Sequence, residues 1–355
     1  MADNRRDRAI VERTARWFRA NARPLPWRAT GDGRRDPYRS LVSEIMLQQT
    51  QVARALEKYD GFVRRFPTVQ SLARAREQSV LAAWSGLGYY RRARFLHAAA
   101  KEIVARYAGE VPRDADALRT LPGVGRYTAG ALASVVFEEP AAIVDANVAR
   151  VLVRVEGQTL DPATGAGAHW LWERAGSLAQ RAARTDGAGV AAFNEGLMEL
   201  GAVVCRPAAP GCGACPLRTL CLARRRGLVD VIPPAKRAAN VLVAHHDCAL
   251  FEDARGRRLV ERRGPDGLWA GLWQPPTLES AGRAPTRRQV RAWAGSPVRA
   301  VASFERRLSH RLVRFRVWRA DGAGPPAGAS GVWRTQKQIR RLALSNPHRR
   351  VLLGM

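Results

Sequence analysis

The chain has 355 residues, 46% of them hydrophobic and 25% charged, which is enough for two domains with separate cores. No apolar run approaches the roughly 20 residues of a membrane-spanning helix, and the charged start MADNRRDRAIVERTARWFRAN lacks the apolar stretch of a secretory leader, so a cytoplasmic protein that does not engage membranes is expected. The 59 Lys and Arg against 31 Asp and Glu leave a net charge of +28, a field that points to a polyanionic partner, with nucleic acid ahead of a membrane surface.

Residues 7–230 read as mostly helical. In DPYRSLVSEIMLQQTQV, Asp36 suits an N-cap and Pro37 the first helical position, while Tyr38, Leu41, Val42, Ile45 and Met46 form an apolar stripe. Glu44 stands at the border of that stripe, one turn from Gln48. A carboxyl half sunk among apolar neighbours holds its proton more tightly, as a general acid near neutral pH must; the plainer alternative is a solvated Glu on a helix edge. Residues 94–107 place Leu96, Ala99, Ala100, Ile103, Val104 and Tyr107 at helical spacing.

LPGVG at 121–125 separates a helix ending near Arg119 from one starting near Arg126. Gly123 and Gly125 permit a tight turn and a close backbone approach. The free N–H groups at the next helix start, with Arg126 beside them, suit a phosphate; the alternative is a plain helix–helix turn. Twenty residues past Gly125, in VDANV, Asp145 begins a helix whose face carries Val148, Val151, Leu152 and Val155. Taken alone it is an ordinary N-cap; beside Glu44 it becomes the second carboxylate of a pair. Phe193, Leu197, Leu200 and Val204 mark one further helix face.

Four of the five cysteines follow, spaced Cys205-x6-Cys212-x2-Cys215-x5-Cys221. Tetrahedral zinc and an iron–sulfur cube both suit four thiolates. Zinc sites more often show two paired C-x2-C knuckles, and here only one pair is close, so the wide spread suits the cube better. Four protein ligands leave no open position, which makes the metal's work structural: it pins a loop carrying Arg206 and Arg218, followed by Arg224, Arg225 and Arg226. Cys248, outside this group, reads as a buried core thiol.

LVDVIPPAKRAAN reads as a linker, centred on 231–240. Beyond it, Val241, Val243 and Leu250 lie in a strand-like run, DARG looks like a turn, and Val313, Phe315 and Val317 alternate with polar or bulky neighbours as in a half-buried strand. Residues 241–355 are therefore expected to form an α+β domain, with a helix in PTRRQVRAWAG, after a helical domain over 1–230.

Several motifs then converge. LPWR (25–28), SEIMLQQTQV (43–52), GLGYYRRAR (86–94), LPGVGRYTAG (121–130) and VDANVARV (144–151) together resemble the MutY family of adenine-specific helix–hairpin–helix DNA glycosylases. The cysteine loop resembles the 4Fe–4S loop of the endonuclease III branch, and RRGPDGLWAGLWQPP (262–276) with LSHRLV (308–313) resembles that family's C-terminal domain. The resemblance implies a six-helix barrel subdomain plus a cluster subdomain, followed by a Nudix-like α+β domain. It also implies one 4Fe–4S cluster on Cys205, Cys212, Cys215 and Cys221, and a monomer in the cytoplasm at the nucleoid. The partner would be duplex DNA carrying adenine opposite 8-oxoguanine or guanine.

By the same resemblance, Glu44 protonates the imidazole ring of an extruded adenine and Asp145 stabilises the positive sugar, through a transient covalent bond. Tyr127 and Asn147 hold the site's geometry. Arg28, Gln49, Tyr89, Leu47 and Thr50 face the DNA or the oxidised guanine, with Gln49 and Tyr89 wedged into the base stack, and Ser309 with His310 reads the lesion. Tyr127 stands where the bifunctional relatives carry a lysine, so a monofunctional enzyme is implied. The chain departs from the pattern at Leu308, where the family has Phe, and at Ala149, where some members have Lys. The acidic metal-binding signature of Nudix hydrolases is missing after LWQPP. Two rivals stand beside this reading: a bifunctional glycosylase/lyase, and a noncatalytic iron–sulfur DNA-binding protein.

Overall fold

The computed structural model describes residues 2–28, 35–234, 241–308, 311–321 and 331–354. The chain forms two compact units: Met1–Arg74 together with Phe95–Lys236, and Ala75–Arg94 together with Arg237–Met355. Among the described residues no helix is long and apolar enough to cross a membrane.

The first unit is helical, and several of its helices begin where short polar side chains take up the free N–H groups of a first turn. Asp36 accepts from Arg39 N–H (2.8 Å) ahead of helix Pro37–Leu47, and Asp114 accepts from Ala117 N–H (2.8 Å) ahead of helix Ala115–Arg119. Asp145 does the same for Val148 N–H (2.7 Å), opening helix Ala146–Glu156. The apolar faces of helices Ala2–Asn21, Ala146–Glu156, Gly165–Ala183 and Val190–Val203 meet in one core, with Ile10, Leu152, Leu178, Phe193 and Leu200 sealed from water. Each such side chain contributes about 1.5–3 kcal/mol of burial.

Helix Ala2–Asn21 is also bound by charge. Arg6 donates to Glu156 (2.6 Å) and to the carbonyls of Val155 (3.0 Å) and Leu220 (3.2 Å), and Arg13 donates to Thr219 Oγ1 (2.7 Å). Arg174 joins Asp7 (2.7 Å) to Glu156 (2.6 Å). The turn between helices Ala115–Arg119 and Arg126–Phe137 needs its glycine. Gly123 has φ +77, and a Cβ there would lie 2.5 Å from Cβ of Phe95.

The second unit is α+β. Its strands are β1 (Leu242–Leu250), β2 (Arg258–Arg262), β3 (Trp273–Gln274), β4 (Thr277–Ala281), β5 (Val298–Arg307), β6 (Arg311–Ala320) and β7 (Val332–Arg334). One sheet runs β4-β1-β6-β5 and is antiparallel except for the β1–β6 pair; a smaller one runs β3-β2-β7. The register sets Glu279, His246, Phe315 and Phe304 in one row across the larger sheet. Phe304 and Phe315 stack at 4.8 Å, and the buried His348 and the ring of Trp269 pack against Phe315. Cys248 is wholly buried.

Residues 75–94 belong to this second unit although they precede most of the helical one. Gln78 donates to Gly271 O (3.1 Å) and accepts from Trp273 Nε1 (3.2 Å), and the hydroxyls of Ser85 and Tyr90 both donate to Leu344 O (3.0 and 2.7 Å). Side chains with polar tips make this attachment, so no apolar periodicity announced it.

Candidate active site

A cavity of about 210 Å³ opens in the first unit, and both paired carboxylates line it. Helix Pro37–Leu47 brings Glu44, Ser40, Ser43 and Leu47; the start of helix Ala146–Glu156 brings Asp145 and Asn147; helix Arg126–Phe137 brings Tyr127; helix Val190–Val203 brings Glu195, Met198 and Glu199. Glu44 lies between apolar packing and this cavity. Burial, then the charges of Glu195 and Asp145, push its carboxyl up from 4.5 to about 7, and Arg35 and Arg28 only partly oppose them. It is thus held as an acid that can give a proton near neutral pH.

Asp145 is both an N-cap and a cavity residue. Burial raises its carboxyl, while Val148 N–H and the Asn147 amide (3.1 Å) favour the charged form, as does the nearby Arg150. Asn147 is fixed in turn by Arg150, whose Nη2 donates to Asn147 Oδ1 (2.8 Å) and to Gly201 O (2.7 Å) and whose Nε donates to Cys205 O (2.7 Å). One carboxyl therefore rests on hydrogen-bond donors and the other on apolar packing, which is how two acids come to take different roles.

Tyr127 donates its hydroxyl to the thioether of Met198 (3.0 Å), and burial beside Glu44 and Asp145 raises its phenol well above the ordinary range. It stays a neutral phenol. The side chains lining the cavity include arginines and no lysine, so among the described residues no amine is placed there to form a Schiff base.

Sequence reasoning missed the charged wall. Arg28 donates to Glu195 (2.9 Å) and to Glu199 (3.0 Å), Arg35 pairs with Glu195, and Arg23 grips Glu199 through two donors. Glu195 and Glu199 are almost fully buried. Arg28 thus spends its donors on protein carboxylates at the cavity wall. The available signal was a pair of glutamates at i and i+4 in FNEGLMELG, which looks like an ordinary solvated face.

Leu47 and Thr50 also line the cavity. Gln49 is exposed and left-handed at φ +53; in the second unit Tyr89 is 47% exposed and left-handed at φ +45. Each is a non-glycine residue in a strained turn of its own unit, with its side chain exposed. Gly125 is the N-cap of helix Arg126–Phe137 with no side-chain cap, and open space surrounds it. Arg126 lies 4.0 Å over the ring of Trp172. Ser309 and His310 lie outside the described residues; just before them Leu308 N–H donates to Arg311 O (2.7 Å).

The four clustered cysteines are free thiols lining a second, small cavity. Among the described residues no group of three or more His, Cys, Asp or Glu side chains is gathered closely enough to hold a single metal ion. Arg154, buried beneath the loop, donates to Cys205 Sγ (3.4 Å), Arg206 O (2.7 Å) and Ile232 O (2.7 Å). Burial pushes the Cys215 thiol up to about 11. Four thiols around one space, with a cation against one sulfur, form a donor set suited to a group larger than one ion. Arg206, Arg218 and Arg224 to Arg226 are exposed around it.

The chain is similar to known proteins. The family described as HhH-GPD superfamily base excision DNA repair protein matches residues 42–173, and the NUDIX domain matches residues 248–354. A human protein named adenine DNA glycosylase is 34% identical over 399 residues, which cover 94% of this chain and 72% of that protein. One of the same name from Mycobacterium tuberculosis (strain ATCC 25618 / H37Rv) is 40% identical over 221 residues, 62% of this chain and 69% of that protein. The solved structure of a thermostable thymine-DNA glycosylase matches with TM-score 0.54 at 30% identity, covering 64% of this chain and 100% of that one. With a carboxyl pair in a helical cavity, a glycine hairpin, a four-cysteine loop and a Nudix-like domain in one polypeptide, the chain belongs to the adenine DNA glycosylase family.

Proposed function

We propose that the chain is a monofunctional base-excision glycosylase that hydrolyses the N-glycosidic bond of adenine opposite 8-oxoguanine or guanine in duplex DNA. The observation that carries this reading is the shared cavity of Glu44 and Asp145, in which burial pushes the Glu44 carboxyl up to about 7. The adenine leaves the stack, at a cost of a few kcal/mol, and enters the cavity. Glu44 passes its proton to the imidazole ring, the bond from C1′ to the base breaks with its electron pair going to adenine, and the Asp145 carboxylate stabilises the cationic sugar by charge and then by a transient bond. Water then adds its hydroxyl to C1′ as the bond from C1′ to Asp145 breaks with its electron pair returning to the carboxylate, and the proton that water releases restores Glu44.

The reading further takes the partner as duplex DNA bound by a monomer in the cytoplasm, with Gly123, Gly125 and Arg126 on phosphates and Gln49, Thr50 and Tyr89 at the mispair. Cys205, Cys212, Cys215 and Cys221 would hold one 4Fe–4S cluster, which supplies a rigid brace for the arginine-bearing loop. A broad visible absorption band that bleaches with the loss of iron supports it, and a colourless zinc-loaded protein counts against it. The Nudix-like unit is taken as a lesion reader without nucleotide hydrolysis, because the acidic metal-binding signature of Nudix hydrolases is missing after LWQPP.

The test is incubation with duplexes carrying each adenine mispair, followed by alkali to cleave at abasic sites. Cleavage confined to the adenine strand opposite 8-oxoguanine and guanine, with no borohydride-trapped adduct, is the expected result. A strong trapped adduct favours the bifunctional rival, and no cleavage at all favours a noncatalytic binder.

A further inference from the structure

One polar side chain joins three parts of the site that the chemistry above treats separately. Gln48 is the C-cap residue of helix Pro37–Leu47, one turn beyond Glu44. Its Nε2 donates to Thr128 Oγ1 (3.2 Å) and, at longer range, to Gly123 O (3.4 Å). Thr128 is buried in the first turn of helix Arg126–Phe137, and Gly123 is the left-handed residue of the hairpin. The residue after Gln48 is Gln49 at φ +53, and Thr50 N–H closes the turn onto Leu47 O (3.1 Å).

These contacts have a mechanical meaning. A left-handed Gln costs free energy and persists only where its surroundings fix it. The fixed point next to it is Gln48, anchored outside its own helix. The same anchor sets the end of the helix that carries Glu44, and helical neighbours four apart share a face, so a shift of the Gln48 end is felt at Glu44.

We propose that Gln48 is a positioning residue that locks the Glu44 helix and the Gln49–Thr50 turn to the hairpin, so that one placement on the DNA backbone also aims the acid. The inference rests on the glycosylase reading. Gln48 need not touch the base or the sugar. Its side chain converts the seat of the hairpin into the position of Glu44, and a displacement of the acid by about 1 Å is enough to cost a large factor in rate.

A double-mutant cycle tests it, on the full chain with an adenine:8-oxoguanine duplex under single-turnover conditions. Gln48→Leu keeps the bulk of the side chain and removes its donor; Thr128→Val removes the acceptor. Each should slow adenine release about tenfold, equal to 1.36 kcal/mol at 25 °C, and the double variant should be no slower than either single one. Affinity for a duplex carrying a hydrolysis-resistant 2′-fluoroadenosine and the melting temperature should both stay near the parent values, which a purely structural role would not allow. Unchanged rates, rate losses that simply multiply, or rates that fall together with the melting temperature overturn the inference. If instead Glu44→Gln retains full activity, the underlying glycosylase reading fails whatever the cycle shows.

Discussion

Glu44 in the helical unit and Asp247 in the α+β unit are both acids removed from bulk water, and they are treated in opposite ways. Asp247 is wholly buried and accepts from Arg316 Nε (2.6 Å), Arg316 Nη2 (2.8 Å) and Trp318 Nε1 (2.7 Å). Its charge is neutralised by a bidentate fork, and it ties β1 to β6. Glu44 instead faces a cavity with Glu195 and Asp145 nearby, and the neighbouring cations Arg28 and Arg35 are engaged with Glu195. An acid given its own arginine becomes a strut; an acid whose nearest cations are bound to other carboxylates keeps its proton and can do chemistry.

The sharpest way to break this contrast is to neutralise Glu44. Glu44→Gln should slow single-turnover adenine release about 10³-fold, within the range of a lost general acid, with DNA affinity retained; alkaline cleavage assays read this directly. Breaking the strut should do the reverse. Arg316→Ala leaves Asp247 buried without its fork and should destabilise the second unit by about 3–5 kcal/mol, visible as an early transition in chemical denaturation.

Stability gives the same contrast with a predictable sign. The Glu44 carboxyl is raised in the folded chain, so the penalty for its charge is absent below pH 4.5, grows as pH rises, and is complete above about pH 7. Glu44→Gln should therefore leave stability unchanged at pH 4 and raise it by as much as about 3 kcal/mol at pH 8, measured by denaturant titration at the two values. The smallest effect is the pH profile. Single-turnover rates should fall up to about tenfold per unit above pH 7 as Glu44 loses its proton, and a profile flat from 6 to 9 would remove Glu44 from the role of acid.

The legible parts of the molecule are those in which local rules and chain order suffice. Asp36, Pro37 and Asp145 announced helix starts, LPGVG announced a turn, and the stripes ending at Met46, Val155 and Val204 announced buried faces. Glu44 and Asp145 could be singled out only together and through the motifs around them, since each alone reads as a solvated acid on a helix edge or an ordinary N-cap. Glu195, Glu199, Arg23 and Arg35 could not, because spacing on a helix does not reveal that an exposed-looking acid will meet an arginine some 160 to 180 residues away. The parallel pairing of β1 with β6 was likewise hidden, since alternation identifies a strand and not its neighbour. The attachment of residues 75–94 to the second unit includes hydrogen bonds from Gln78, Ser85 and Tyr90 to the carbonyls of Gly271 and Leu344, which no residue pattern announces.

The charged clasp between the first helix and the rest of its unit has a practical side for anyone producing this protein. Trimming the initial twenty-one residues as if they were a dispensable leader would remove Arg6, Asp7 and Arg13 together, leave the half-buried Glu156 and Arg174 with only each other, and release the backbone at Leu220 beside the last of the four clustered cysteines. Such a shortened chain should unfold at a lower denaturant concentration than the parent, with the cysteine loop the first part to loosen.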